Sequence, residues 1–262
     1  MRWACVMGLI VTTIGAAYGS GAGETPVSDT RSYGASAAVF DLRVTPGAEH
    51  LHRFPILGFI HKNNPPQMAA WVESPSGDYL ATLFVTERVA TQSWRRAPGD
   101  VPADEIRRPE ALPVWTHRRG QFAEDGNPLP TRDLPMPDAV TLATPTEEFD
   151  LNATFDTGTD RQVVVFLEVN HSLDFNAVYR PDLDTNDPHY NGGEWGSGQP
   201  SLVYAATVDL SETDTIKLRL VGHGSPSGSD GDIRSELLSV DTARSIVDRA
   251  TVSVRRAAAG DR

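Results

Sequence analysis

The chain has 262 residues, 39% of them hydrophobic, with 23 basic against 35 acidic side chains for a formal charge of −12. That acidity excludes a nucleic-acid binder, whose surface must attract phosphates. The single cysteine, Cys5, precedes an apolar run instead of ending it, as a lipid-anchored cysteine would, and it has no second thiol to pair with. Stability must therefore come from an apolar core.

Residues 1–23 carry one early cation, Arg2, an apolar run over 6–17, and small residues at Ala17, Gly19, Ala22 and Gly23. This is the layout of a secretory signal peptide. A membrane span needs roughly 20 apolar residues, so no stable span is expected after cleavage, and the product is expected to be periplasmic or secreted. Loss of Arg2 leaves 22 basic against 35 acidic groups, or −13. Residues 24–36 and 256–262 read as flexible, and 37–255 as one domain.

Within that domain the dominant pattern is alternation with period two, the signature of half-buried strands. Phe40, Leu42 and Val44 alternate first. Residues 68–73 and 79–86 flank Ser74-Pro75-Ser76-Gly77-Asp78, where proline presets φ and glycine permits a positive one, predicting a hairpin. Val163, Val165, Leu167 and Val169 share one face; Val164 and Phe166 on the other predict a strand covered on both sides. Residues 202–208 and 215–221 predict a second hairpin, 241–247 a short helix capped by Asp241 or Thr242, and Ala250, Val252 and Val254 a last strand. About eight antiparallel strands without a long helix predict an all-β, immunoglobulin-like antiparallel β-sandwich, although no Cys…Trp…Cys signature supports that topology. No internal repeat is visible. Residues 87–137, rich in Pro, Arg and acids, predict a long irregular excursion far beyond the usual loop of about 4–6 residues. Its apolar piece Ala111-Leu112-Pro113-Val114-Trp115 is expected to dock it.

Four stretches, PQMAAWVESPSGDYLATLFVT from Pro66, RRPEALPVWTHRRG from Arg107, DAVTLATP from Asp138 and QPSLVYAATVDL from Gln199, resemble a bacterial domain-of-unknown-function family of predicted periplasmic proteins. The resemblance implies an exported immunoglobulin-like sandwich with no assigned activity, often encoded near flavin-handling exported proteins.

Several constellations point to chemistry, each with a plainer reading beside it. Asp138 to Thr144 resembles the acceptor motif of covalent flavin carriers, which implies FMN attached at Thr144; Leu142 stands where that motif has glycine, and a strand edge ending at Pro145 is the plainer reading. Asp182, Asp184, Asn186 and Asp187 alternate oxygen ligands as a calcium loop does, or form a solvated turn; an EF-hand-type loop has glycine where Asp187 stands. His50 and His52 would share a strand face, two imidazoles where a metal site needs a third ligand. Residues 88–119 hold seven arginines against four acids. Arg107, Arg108, Trp115 and Arg118 therefore suggest a patch for an anionic ligand or an acidic partner, or arginines pairing internally. His171 and Asp174, after the central strand, could form an acid–base pair or belong to turns, and no nucleophile motif accompanies them.

The function expected first is a non-catalytic binding or accessory domain in the cell envelope, acting on an envelope protein or an anionic ligand, without a cofactor. A flavin-bearing redox accessory protein and a hydrolase with an unrecognised site are the alternatives.

Overall fold

The computed structural model describes residues 37–57, 60–94, 106–136, 141–142, 146–158 and 160–256. Among them run twelve strands: β1 (Ala37–Pro46), β2 (His52–Leu57), β3 (Ile60–Asn64), β4 (Gln67–Glu73), β5 (Tyr79–Thr86), β6 (Thr141–Leu142), β7 (Phe149–Asp156), β8 (Gln162–Asn170), β9 (Leu202–Asp209), β10 (Ile216–Lys217), β11 (Arg219–His223) and β12 (Val247–Arg256). They form a four-stranded sheet, β10-β12-β1-β7, a six-stranded sheet, β11-β9-β8-β4-β5-β6, and the separate hairpin β2-β3. All pairings are antiparallel except β5 with β6. The chain is all-β, and its two large sheets face each other as a sandwich.

Alternation explains how they face. Phe40 on β1 pairs with Val254 on β12 and Ala153 on β7, so their side chains enter the same interior. Phe40 stacks on Phe155 at 4.8 Å. From the other sheet Met68, Ala70 and Val72, then Val163, Val165, Leu167 and Val169, then Leu202, Tyr204, Ala206 and Val208 close on them. Each large apolar side chain so buried stabilises by about 1.5–3 kcal/mol. The far face of the four-stranded sheet is polar: Arg43 grips Asp150 across the strands (Nη2 to Oδ2, 2.8 Å) at exposed positions.

The six-stranded sheet is covered on both faces. Its outward side chains Ala69, Trp71, Val85, Phe166 and Val203 pack under Val89 and Ala90 of helix α1 (Glu87–Thr91), under Leu112, and under Val114 and Trp115 of helix α2 (Pro113–Arg118), forming a second core. Trp71 stacks on Phe166 at 5.0 Å. All seven residues of β4 are buried, which is why it reads as a nearly continuous apolar run. The described parts of the long excursion thus form a third layer.

The strand predicted over 215–221 is two strands. Ile216 and Lys217 pair with β12 in one sheet, whereas Arg219 to His223 pair with β9 in the other. Leu218, buried in the interior with its N–H on Ala250 O (2.9 Å), sits where the chain crosses. Alternation is conserved through a sheet switch, so the pattern cannot reveal it. The helix expected over 241–247 is a single 3-10 turn, Thr242–Ser245, with Asp241 Oδ1 accepting from Thr242 N (2.6 Å) before β12 begins.

Candidate functional site

Three successive outward residues of β8 hold the excursion. Phe166 lies in the second core beneath Arg118, whose guanidinium carbon stands 5.9 Å from the ring centroid. Glu168 caps α2. Asn170 donates through Nδ2 to Glu110 O (2.9 Å) and to Ser197 Oγ (2.8 Å).

Glu168 is 0% exposed. Helix α2 begins at Pro113, which has no N–H, and Leu112 before it offers no capping side chain. The first free donors, Val114 N and Trp115 N, reach Glu168 Oε1 (3.1 Å) and Oε2 (2.8 Å), while Ser201 Oγ donates to Oε1 (2.6 Å). Burial pushes this carboxyl up to about 7; Ser201, the two backbone donors and the charge of Arg118 act against that rise. Further along the same face, four positions away in the β4–β8 register, the buried Glu73 accepts from Trp71 Nε1 (2.7 Å) and from Arg118 Nη1 (2.8 Å).

The excursion is braced from outside by the turn at Ser225-Pro226-Ser227-Gly228. Gly228 N donates to Ser225 O (3.1 Å) and Ser229 N to Ser225 Oγ (3.2 Å). The same local text, Ser74-Pro75-Ser76-Gly77, makes the same bonds between β4 and β5: Gly77 N to Ser74 O (3.0 Å) and Asp78 N to Ser74 Oγ (3.1 Å). The first of these two turns packs its glycine on Pro109; the second faces open space at Gly77.

A second polar cluster lies where β8 ends. Leu173 adopts φ 67°, a left-handed conformation costly for a side chain, and donates its N–H to Gly196 O (2.9 Å). Asp174 N reaches Ser197 O (2.9 Å), and Gln199 N returns to Asp174 O (2.8 Å). The buried Asp174 carboxylate accepts from Thr242 Oγ1 (2.7 Å), and burial raises its pKa. Gln199, also buried, links Thr242 and Asp241 N (2.8 Å to the latter). His171 is buried with Nε2 donating to Glu49 O (2.9 Å) and Nδ1 without a hydrogen bond among the described residues; burial holds its pKa down to about 3. Two further buried polar groups of the neighbouring loop, the Asn191 amide and Trp195 Nε1, also find no partner among the described residues.

The residues singled out in the sequence therefore fall in different places. His171 and Asp174 share this cluster but not a hydrogen bond: one serves Glu49, the other Thr242. His50 and His52 do not share a strand face. His50 belongs to the turn before β2, buried, with Nδ1 against Ile246 O (3.1 Å), whereas the His52 ring lies 5.6 Å from that of His171. Asp182 pairs with Arg180 (3.0 Å), Asp184 accepts from Asn186 N and Nδ2 (2.9 Å each), and Asp187 accepts from His189 N (2.8 Å). The first is an exposed ion pair and the bonds to Asn186 N and His189 N form turns, and among the described residues no three His, Cys, Asp or Glu side chains are grouped to hold a metal ion. Trp115 is a core residue, not part of a surface patch; Arg118 engages Glu73, and Arg107 pairs with Asp125 (3.0 Å). Arg108 is half-buried nearby. Thr144, the expected FMN acceptor, and residues 1–36 lie outside the described residues. Among the described residues no helix is long and apolar enough to cross a membrane. A cleft of about 440 Å³ lined by Pro75, Asp160, Arg161, Gln162 and Asp209 lies at the opposite end of β8.

Sequence reasoning missed Glu168 and Glu73. The signal for Glu168 was present: a carboxylate on the second face of a strand already read as covered on both sides. Compared with family models, with curated proteins and with solved structures, the chain matches none.

Proposed function

We propose that the protein is an exported, non-catalytic binding or accessory domain of the cell envelope, an immunoglobulin-like sandwich of the predicted-periplasmic family its sequence resembles. Its working surface is the excursion. The observation supporting this reading is the run Phe166, Glu168, Asn170, three consecutive outward positions of one central strand committed to holding that excursion in a fixed shape. Long connections held rigidly over a scaffold are where recognition concentrates. Glu168, buried beneath the excursion, is bonded into the fold instead of facing a cleft. On its outer side the excursion exposes Phe122 (50%) and Leu134 (57%), apolar anchors of the kind a partner surface covers.

Site-specific photo-crosslinking in the intact envelope tests the reading. A crosslinker at Phe122 should give a discrete adduct that a crosslinker at Arg43, on the far face of the other sheet, does not. The reading fails if position 122 yields no adduct, or the same ones as position 43. Intact mass of the same preparation distinguishes it from the flavin carrier, since an FMN ester on Thr144 would be visible as added mass.

A further inference from the structure

The corner 47–52, which leads from β1 into β2, is held by backbone and imidazole groups. Gly47 N donates to Ile246 O (2.9 Å), and Glu49 N to Ser245 O (3.0 Å). A Cβ on Gly47 would stand 2.1 Å from Ser245 O, so the corner lies flat on the segment before β12. The carbonyl of Glu49 is then taken by His171 Nε2 (2.9 Å), and His50 Nδ1 closes on Ile246 O (3.1 Å). His52, at the start of β2, adds its ring 5.6 Å from that of His171.

We propose that this corner is an acid-released clasp, closed by the neutral ring of His171 and opened when that ring is protonated. Three observations carry it. His171 and His50 are both buried, so a charge on either is desolvated. Among the described residues the Nδ1 of His171 makes no hydrogen bond, so a second proton there would enter a buried site with no acceptor bond already formed. The charged neighbours acting on the His171 ring, His50 and His52, work against a positive charge on it, while the backbone of His50 works for one. Glu49 meets the ring through its backbone carbonyl. The carboxylate of Asp174 acts on His52, and that of Asp241 acts on Asp174. Burial keeps the closed ring neutral down to about 3, whereas a solvated imidazole protonates near 6.5. Between those values the open corner binds a proton that the closed corner does not. Each pH unit below 6.5 therefore favours opening about tenfold.

Amide hydrogen exchange on the full exported chain tests this, read at Gly47 and Glu49 with Val165 and Leu167 of β8 as internal references. After correction for intrinsic rates, the opening constant at Gly47 and Glu49 should rise about 50-fold from pH 6.5 to 4.5 while β8 stays protected. His171→Gln keeps a donor for Glu49 O but does not titrate, and its opening should be flat over that range. The clasp is overturned by a flat profile in the wild type, by the same slope in the variant, or by β8 amides opening in step with Gly47. Should His171→Gln not fold, ring nitrogen spectra of the wild type decide. A neutral Nε2–H tautomer at pH 5 wherever the corner is closed supports the clasp. A doubly protonated His171 ring at pH 5 with Gly47 still protected rules it out.

Discussion

Glu168 Oε2 accepts the backbone N–H of Trp115 at 2.8 Å, joining a central strand to a helix 53 positions away in sequence. A side chain from another element thus does the work that an N-cap residue normally does locally. The excursion consequently depends on β8 for its helix start, and β8 depends on the excursion to satisfy a carboxylate in its apolar outer face.

Glu168→Ala should be among the most damaging single changes in the chain. It leaves Val114 N, Trp115 N and Ser201 Oγ buried without their acceptor and should cost about 3–5 kcal/mol. Glu168→Gln retains one acceptor oxygen but turns an amide donor toward a backbone donor, and should cost less, about 1–3 kcal/mol. Urea denaturation measures both. Equal stability of Glu168→Ala and the wild type would show that the capping bonds carry no weight.

The same carboxyl makes stability depend on pH in an unusual sense. Its pKa is about 7 in the folded chain against 4.5 for an ordinary glutamate, so folding takes up a proton between those values. The stabilisation this represents is fully present below about 4.5 and is lost as pH rises through 7. His171 acts oppositely, because its folded value lies below its ordinary one and its contribution is lost as pH falls below 6.5. Subtracting the Glu168→Gln profile from the wild-type profile isolates the first effect. The difference should fall by about 3 kcal/mol between pH 4.5 and 8. A difference that is constant, or that rises with pH, would contradict a buried and raised carboxyl.

How much of this was legible in the sequence divides along range of interaction. Alternation at Phe40, Leu42 and Val44 and at Val163 to Val169 reported which faces are buried, because period two is local and needs no knowledge of the partner strand. The turn at Ser74 to Asp78 was legible for the same reason. The sheet switch at Leu218 was not, since Ile216, Leu218 and Leu220 keep one alternation while their hydrogen-bonding partners change from β12 to β9. Nor was the fate of the arginines. Composition showed an excess of cations over 88–119, but whether Arg118 faces solvent or Glu73 depends on a contact 45 residues apart. Trp115 looked like half of an aromatic–arginine patch because tryptophan serves both surfaces and cores, and only the docking of α2 decides between them.

The pair Arg118–Glu73 invites a double-mutant cycle. Glu73 is 2% exposed at its side chain and Arg118 32%, so the pair is screened from one side only. Arg118→Ala leaves Glu73 with Trp71 Nε1 alone and should cost about 2 kcal/mol. Glu73→Gln with Arg118→Ala together should cost less than the sum of the single changes, with a coupling of about 1–2 kcal/mol. Additive single and double changes in urea unfolding would mean that the bond contributes nothing to holding the excursion.

Finally, the two Ser-Pro-Ser-Gly turns separate local strain from packing. Gly77 has φ +91° and Gly228 φ +76°, both in the region that side chains adopt at a cost of about 1–2 kcal/mol. A Cβ at Gly77 meets nothing within 4 Å, so Gly77→Ala should cost only that local amount. At Gly228 the same atom would stand 2.2 Å from the carbonyl carbon of Pro109, a backbone group that cannot swing aside. Gly228→Ala must therefore also push the excursion off its brace, lengthening His117 Nε2 to Gly228 O from 3.1 Å and disturbing Glu110 behind it. We expect it to cost at least 2 kcal/mol more than Gly77→Ala, and to raise hydrogen exchange in α2 while leaving the β1–β12 ladder protected. Equal thermal stability of the two variants would mean that the turn after β11 does not brace the excursion, and that Phe166, Glu168 and Asn170 hold it alone.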